Sequence, residues 1–174
     1  MASWPTGVAV VTSTWQGNPV GCTVNSLMSW SVDPPSVAVA LNSAGRTVQA
    51  VRASGRFGIS ILDWARQDLC SRFAGGAQRD RFTGVDLLGA EDVPLVRDSL
   101  HALACTVQKT FAWSDHTLVL GLPSRIYGTG RETPLVLHGR ALHRLPRAGV
   151  DASEAAPDSS LARSSLRLDT PSAS

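Results

Sequence analysis

The chain has 174 residues, 43% hydrophobic and 17% charged, which is enough for one domain with its own core and no disulfide or metal staple. Sixteen basic against fourteen acidic residues leave a formal charge of +2, and the bases are Lys109 and scattered arginines, which excludes a nucleic-acid footprint and a polybasic membrane patch. Cys22, Cys70 and Cys105 are odd in number and too far apart for a C-x-x-C pair, no apolar run approaches the roughly 18 residues of a membrane span, and the first basic residue is Arg46, so a reducing, cytoplasmic setting is expected.

Residues 8–14 read as a first strand, Gln16-Gly17-Asn18-Pro19 as a turn, and residues 20–32 as a second strand in a hairpin with the first. Asp33-Pro34-Pro35 ends it, because prolines cannot donate to a ladder. Residues 36–42 form a third strand with Val37, Val39 and Leu41 on one face and the small Ala38 and Ala40 on the other. Residues 45–54 carry Val48 and Val51 at helical spacing and stop at Gly55. Residues 57–62 return as a strand, and Asp63 caps a helix through Leu69 and Phe73, which runs into the polar loop Gly75-Gly76-Ala77-Gln78. Three strands follow, at about 100–111, 117–127 and 135–145.

Strands in hairpins with short crossover helices give a mainly β chain, an antiparallel barrel with helices on its outside. Beyond Leu145 there is no aromatic residue, and Ser, Ala and Pro dominate. Residues 1–145 are therefore expected to form the domain and residues 146–174 a disordered tail whose removal changes little.

Searches for acid, base and nucleophile constellations find no G-x-S-x-G, H-E-x-x-H, G-x-G-x-x-G or P-loop. His101 and His143 read as strand histidines holding one hydrogen bond each. Hydroxyls and amides concentrate in two places. One is the polar run Thr23-Val24-Asn25-Ser26 between apolar segments. The other is Asn42-Ser43-Ala44-Gly45-Arg46-Thr47, a strand end feeding a helix N-terminus, where free N–H groups, the helix dipole and a guanidinium suit a phosphate as well as they suit a plain turn and cap.

These residues carry a resemblance. Trp4-Pro5-Thr6-Gly7-Val8, Gly21-Cys22-Thr23-Val24-Asn25-Ser26, Ser31-Val32-Asp33-Pro34-Pro35, Leu41-Asn42, Phe57-Gly58-Ile59-Ser60-Ile61-Leu62, Phe73-Ala74, Asp80-Arg81-Phe82, Asp115-His116-Thr117-Leu118 and Pro134-Leu135 ahead of His138-Gly139-Arg140 follow one another as in the flavin reductase-like family. The chain resembles that family from Trp4 to Leu145.

The resemblance implies a homodimeric Greek-key split barrel of the FMN-binding type, an NAD(P)H:flavin oxidoreductase that uses NADH or NADPH to reduce FMN or FAD and supplies reduced flavin to a partner monooxygenase. It implies that Thr23, Val24, Asn25 and Ser26 meet the isoalloxazine and ribityl chain. Ala40, Leu41, Asn42, Ser43, Ala44, Gly45, Arg46 and Thr47 would line the ribityl and phosphate side, and Ala74, Gly75 and Arg81 would belong to a loop closing over the flavin. His116, His138, Gly139 and Arg140 would approach the nicotinamide, His116 as an orienting group. Hydride passes directly between the two cofactors in such enzymes, so no acid or base is required of the protein, in keeping with a sequence that carries no acid–base or nucleophile motif.

The chain departs from the family pattern at Cys22, where methionine or another apolar residue is frequent, at Leu27, where phenylalanine is common, at Ser114, where glycine is usual, and in starting three residues before Trp4, where a helix is usual. Two other functions fit the same barrel: a protein with tightly bound FMN that reduces ferric iron or a quinone, and a non-catalytic flavin or haem binder with His116 as an axial ligand.

Overall fold

The computed structural model describes residues 3–90, 93–128 and 133–145; the tail expected at 146–174 lies outside them. A short strand β1 (Thr6–Gly7) leads into β2 (Ala9–Trp15), which pairs with β3 (Asn18–Val24). The turn is tighter than predicted. Only Gln16 and Gly17 form it, both at positive φ (50° and 77°), the backbone that matches the twist of a two-residue hairpin. Pro19 thus falls within β3, where it is tolerated because β3 is an edge strand.

The predicted single strand at 20–32 is two strands. β3 ends at Val24, and β4 (Met28–Val32) pairs with β5 (Pro35–Asn42), not with β2. The remaining long strands are β6 (Arg56–Ile61), β9 (His101–Trp113) and β10 (His116–Gly128), and the sheet runs β3-β2-β6-β9-β10-β5-β4. Its two edge strands are therefore joined by Asn25, Ser26 and Leu27 alone. Three extended residues reach about 10 Å, whereas seven strands laid flat would separate the edges by roughly 29 Å. The sheet must curl until its edges meet, which is the barrel. Ser26 fixes the crossing: its hydroxyl donates to the Ala40 carbonyl (2.8 Å) and accepts from the Ala40 N–H (3.2 Å).

Inside the barrel Val11, Val39, Phe57, Ile59 and Val119 form the main core, with Val37 and Leu41 of β5 on the same side, as their alternation predicts. Helix α1 (Arg46–Ser54) buries Val48, Ala50 and Val51 and stops at Gly55, whose φ of 67° is the left-handed cap expected of a glycine. After β6, Asp63 does cap a helix, but the first turn is a 3-10 turn (Trp64–Arg66), with Asp63 Oδ1 accepting from the Ala65 N–H at 2.9 Å. Helix α2 (Gln67–Ala74) follows and buries Leu69 and Phe73 in a second cluster with Val10, Leu62 and Leu135. Gln78, read as loop, opens a further short helix α3 (Gln78–Arg81).

Two hairpins went unpredicted. β7 (Leu87–Ala90) and β8 (Val93–Val96) pair with each other, and Leu95 packs against Ala102 and Ala104. The strand expected at 135–145 folds back on itself as β11 (Leu135–His138) and β12 (Ala141–Arg144), turning at Gly139 and Arg140 with φ of 61° and 66°. β11 also pairs with β1, giving a three-stranded sheet β1-β11-β12.

The β9–β10 hairpin turns at Ser114 and Asp115, between the paired Trp113 and His116. Ser114 stands at φ 53°, so the glycine usual in the family occupies a left-handed position that a serine adopts only at a cost. Ser114→Gly is expected to stabilise the fold by about 0.5–1 kcal/mol, the relief of left-handed strain less the added entropy of glycine in the unfolded chain. A chemical-denaturation midpoint that does not rise would count against it.

Candidate functional site

Where β5 runs into α1, a cleft of about 480 Å³ opens toward β3 and the end of α2, walled by Thr23, Asn42, Arg46, Thr47, Ala74 and Arg81. The connection is built locally. Asn42 Oδ1 accepts from the Ala44 N–H (2.9 Å) and the Asn42 carbonyl from the Gly45 N–H (3.0 Å), so the chain folds back sharply before the helix begins. The Ser43 N–H donates to the Asp115 carbonyl (2.8 Å), and its hydroxyl lies 2.9 Å from Thr117 Oγ1, tying this loop to β10.

Gly45 is the N-cap of α1, with no side chain to cap it and no acidic residue in the first turn. The uncompensated N–H groups leave a partial positive charge at the cleft. Arg46 adds a full one, exposed and without a hydrogen bond or ion pair among the described residues. The arrangement suits a phosphate.

The opposite wall is held by internal bonds. Thr23 Oγ1 donates to the Cys70 carbonyl (2.7 Å), clamping α2 to β3. Arg81 spends its guanidinium on three carbonyls, Gly21 (2.7 Å), Gly75 (3.1 Å) and Gly76 (3.3 Å), and so pins loop 75–77 against β3. Burial pushes the Cys22 thiol above its ordinary pKa, with a hydrogen bond from Thr47 and the Arg81 charge pulling the other way. The thiol is neutral near pH 7 and lines the cleft as a small apolar group.

Asn25 and Ser26 face a different cleft of about 500 Å³, shared with Trp4, Thr6, Leu27 and Met28. The hydroxyl of Thr6 is buried there without a hydrogen-bond partner, an orphan that a polar ligand would satisfy.

The structure thus gathers Thr23, Leu41, Asn42, Gly45, Arg46, Thr47, Ala74 and Arg81 around one cleft. Gly75 lies on the adjoining loop. Val24 turns its side chain into the barrel core, and Ala40 is engaged through its backbone with Ser26. His116 pairs in register with Asn42 at the cleft's edge, its Nδ1 2.8 Å from Asp115 Oδ1. That hydrogen bond and the imidazole charge hold the Asp115 carboxyl below its ordinary pKa. His138, Gly139 and Arg140 sit apart, at the β11–β12 turn, where the His138 carbonyl lies 3.1 Å from His143 Nε2. Sequence reasoning missed Thr6, Phe73, Val48 and Gln78 as cleft residues. Phe73 and Val48 read as core from their helical spacing, and the approach of Thr6 to Asn25 exists only in three dimensions.

The flavin reductase like domain model matches residues 1–146. The chain belongs to the flavin reductase-like family. A flavin reductase (NADPH) of Lentzea aerocolonigenes is 41% identical over 128 residues, covering 70% of this chain and 72% of that protein. A probable flavin reductase of Rhizobium meliloti is 34% identical over 130 residues, 74% of this chain, which spans only 42% of that longer protein. Among solved structures, the styrene monooxygenase flavin reductase of Pseudomonas putida S12 superposes with a TM-score of 0.76 at 31% identity, over 83% of this chain and 94% of the other. Membership makes the fold a Greek-key split barrel and the activity class that of an NAD(P)H:flavin oxidoreductase. The donor set fits flavin: an uncapped helix N-terminus with an unpaired guanidinium for phosphate, and hydroxyls and amides for the ribityl chain.

Proposed function

We propose that the chain binds FMN or FAD as a diffusible substrate in the Arg46 cleft, reduces it with NADH or NADPH, and releases it to a partner monooxygenase. The observation that carries this is the bare N-terminus of α1 with the unpaired Arg46 beside it, an anion site in a cleft open to solvent. When both cofactors are bound, hydride passes from nicotinamide C4 to flavin N5. The chain's task is to hold the phosphate, present the hydroxyl- and amide-bearing wall, and keep the ring faces aligned. Thr6, Asn25 and Ser26 would border the ring end, and Arg81 would shape the loop that covers it. The reaction belongs in the cytoplasm, where reduced nicotinamide is available; among the described residues no helix is long and apolar enough to cross a membrane.

The working form in this reading is a homodimer. Edge strand β4 exposes Met28, Trp30 and Val32, and the end of β9 exposes Phe111 and Trp113. Register places Met28, Ala40, Leu118 and Phe111 on one face of four consecutive strands. An apolar edge of that kind invites pairing unless something covers it, and a second copy would cover it next to the cleft.

Stopped-flow mixing with NADH or NADPH, adding FMN or FAD in turn, tests the reaction. Nicotinamide oxidation that saturates with free flavin supports it; oxidation by a fixed yellow chromophore without added flavin points to a bound-FMN reductase, and no oxidation to a binding protein. Light scattering that gives a monomer at full activity would remove the dimer.

His116→Ala is expected to raise the KM for NAD(P)H or slow hydride transfer while leaving flavin Kd within about twofold. The wild-type pH profile should lack a steep limb from an obligatory base, since hydride transfer needs none. Parallel losses of thermal midpoint and flavin affinity would make His116 a turn residue held by Asp115.

A further inference from the structure

Resting on the flavin-site reading above, we infer that the substrate is FAD in preference to FMN, its adenylate half seated in a second cleft on the far side of Arg46. This cleft, of about 450 Å³, lies between the β2–β3 turn, the outer face of α1 and the start of α3. Arg46 and Gln78 line both it and the first cleft, so the two meet at these side chains. A phosphate held at the α1 N-terminus therefore stands at the junction, and a ligand that continues beyond it enters the second space. FMN ends at that phosphate; FAD continues through a second phosphate to ribose and adenine.

The walls of the second cleft carry the groups an adenylate needs. Trp15, half-buried at the end of β2, lines this cleft with an indole, a side chain on which a base can stack. Gln49 and Gln78 supply amides, the side chain whose donor and acceptor match an adenine edge two at a time, while the Asn18 amide nitrogen already donates to the Gln16 carbonyl (3.1 Å). The Oε1 of Gln78 is buried with no hydrogen-bond partner, a cost that rotation of its amide toward an adenine amino group or a ribose hydroxyl would remove. Arg79 adds a second guanidinium; its ion pair with Asp80 (3.4 Å) is exposed on both sides and competes little with a phosphate. Of these groups FMN calls on Arg46 alone; the indole, the amides and Arg79 are placed for what lies beyond the first phosphate.

The test is equilibrium binding, followed by flavin fluorescence, of FMN and FAD to the wild-type chain and to Trp15→Ala, Trp15→Phe and Arg79→Ala. FAD should bind roughly tenfold or more tightly than FMN, the size of one base–aromatic stack. Trp15→Ala should erase most of that margin with the FMN Kd held within about twofold, Trp15→Phe should restore it, and Arg79→Ala should narrow it. ADP should compete with FAD in the wild type and lose potency in Trp15→Ala. Equal Kd values for FMN and FAD in the wild type, or a margin that survives Trp15→Ala and Arg79→Ala together, would overturn the assignment and leave the flavin site standing. Binding of neither flavin would overturn both.

Discussion

Arg46→Ala is expected to weaken FMN binding by about 1.5–3 kcal/mol, a loss of roughly 10- to 150-fold in Kd, while riboflavin binding changes little. The contrast follows from where the charge is. Arg46 starts α1, has no partner among the described residues and stabilises nothing that its removal would disturb. The first-turn N–H groups remain after the substitution, so some phosphate affinity persists. Arg46→Lys should recover part of the loss, because an ammonium keeps the charge without the planar fork. The affinity difference should shrink as salt rises, since an exposed charge pair is screened. Equal losses for FMN and riboflavin would show that Arg46 shapes the loop and does not meet phosphate.

The turn and helix start that border the Arg46 cleft were legible because their signals are local. Asn42 to Thr47 is one continuous segment in which an Asx turn, a glycine N-cap and the first helical residues follow in order, and the structure realises them as written. Gly55 marked the other end of the helix for the same reason. The reading failed where structure depends on distant partners. Residues 20–32 look like one strand because apolar and β-branched types continue across Asn25-Ser26-Leu27. What breaks the strand is Ser26 bonding to Ala40, a contact the barrel creates. The turn at Gly139-Arg140 was hidden because arginine at φ 66° is not a turn signal. Cysteine behaviour, by contrast, followed from type alone: Cys105 is buried in the barrel and its pKa is pushed up to about 12 by desolvation, as an inert apolar group would have it.

The resemblance set Arg81 against the flavin; the geometry gives it an additional and more demanding task. Its three carbonyl partners lie on β3 and on loop 75–77, so one side chain joins a strand, a loop and the helix that carries it. Arg81→Ala should therefore lower stability by about 2–3 kcal/mol, since hydrogen bonds from a charged donor are lost and the Gly21 carbonyl is left in a buried place. For a chain of this size that corresponds to a fall in Tm of roughly 4–12 °C. Arg81→Lys should rescue little of it, because one ammonium cannot reach three carbonyls arranged around a planar fork. Flavin affinity should also fall, and here the pattern separates the two arginines. Loosening the wall of the cleft penalises FMN and riboflavin alike, whereas loss of a phosphate ligand penalises FMN alone. Limited proteolysis should find loop 75–77 cut faster in Arg81→Ala than in the wild type, since among the described residues it is Arg81 that ties Gly76 to β3. An Arg81→Ala protein with unchanged Tm and an FMN-specific loss of binding would reverse the assignment, making Arg81 a direct phosphate ligand and the carbonyl contacts incidental.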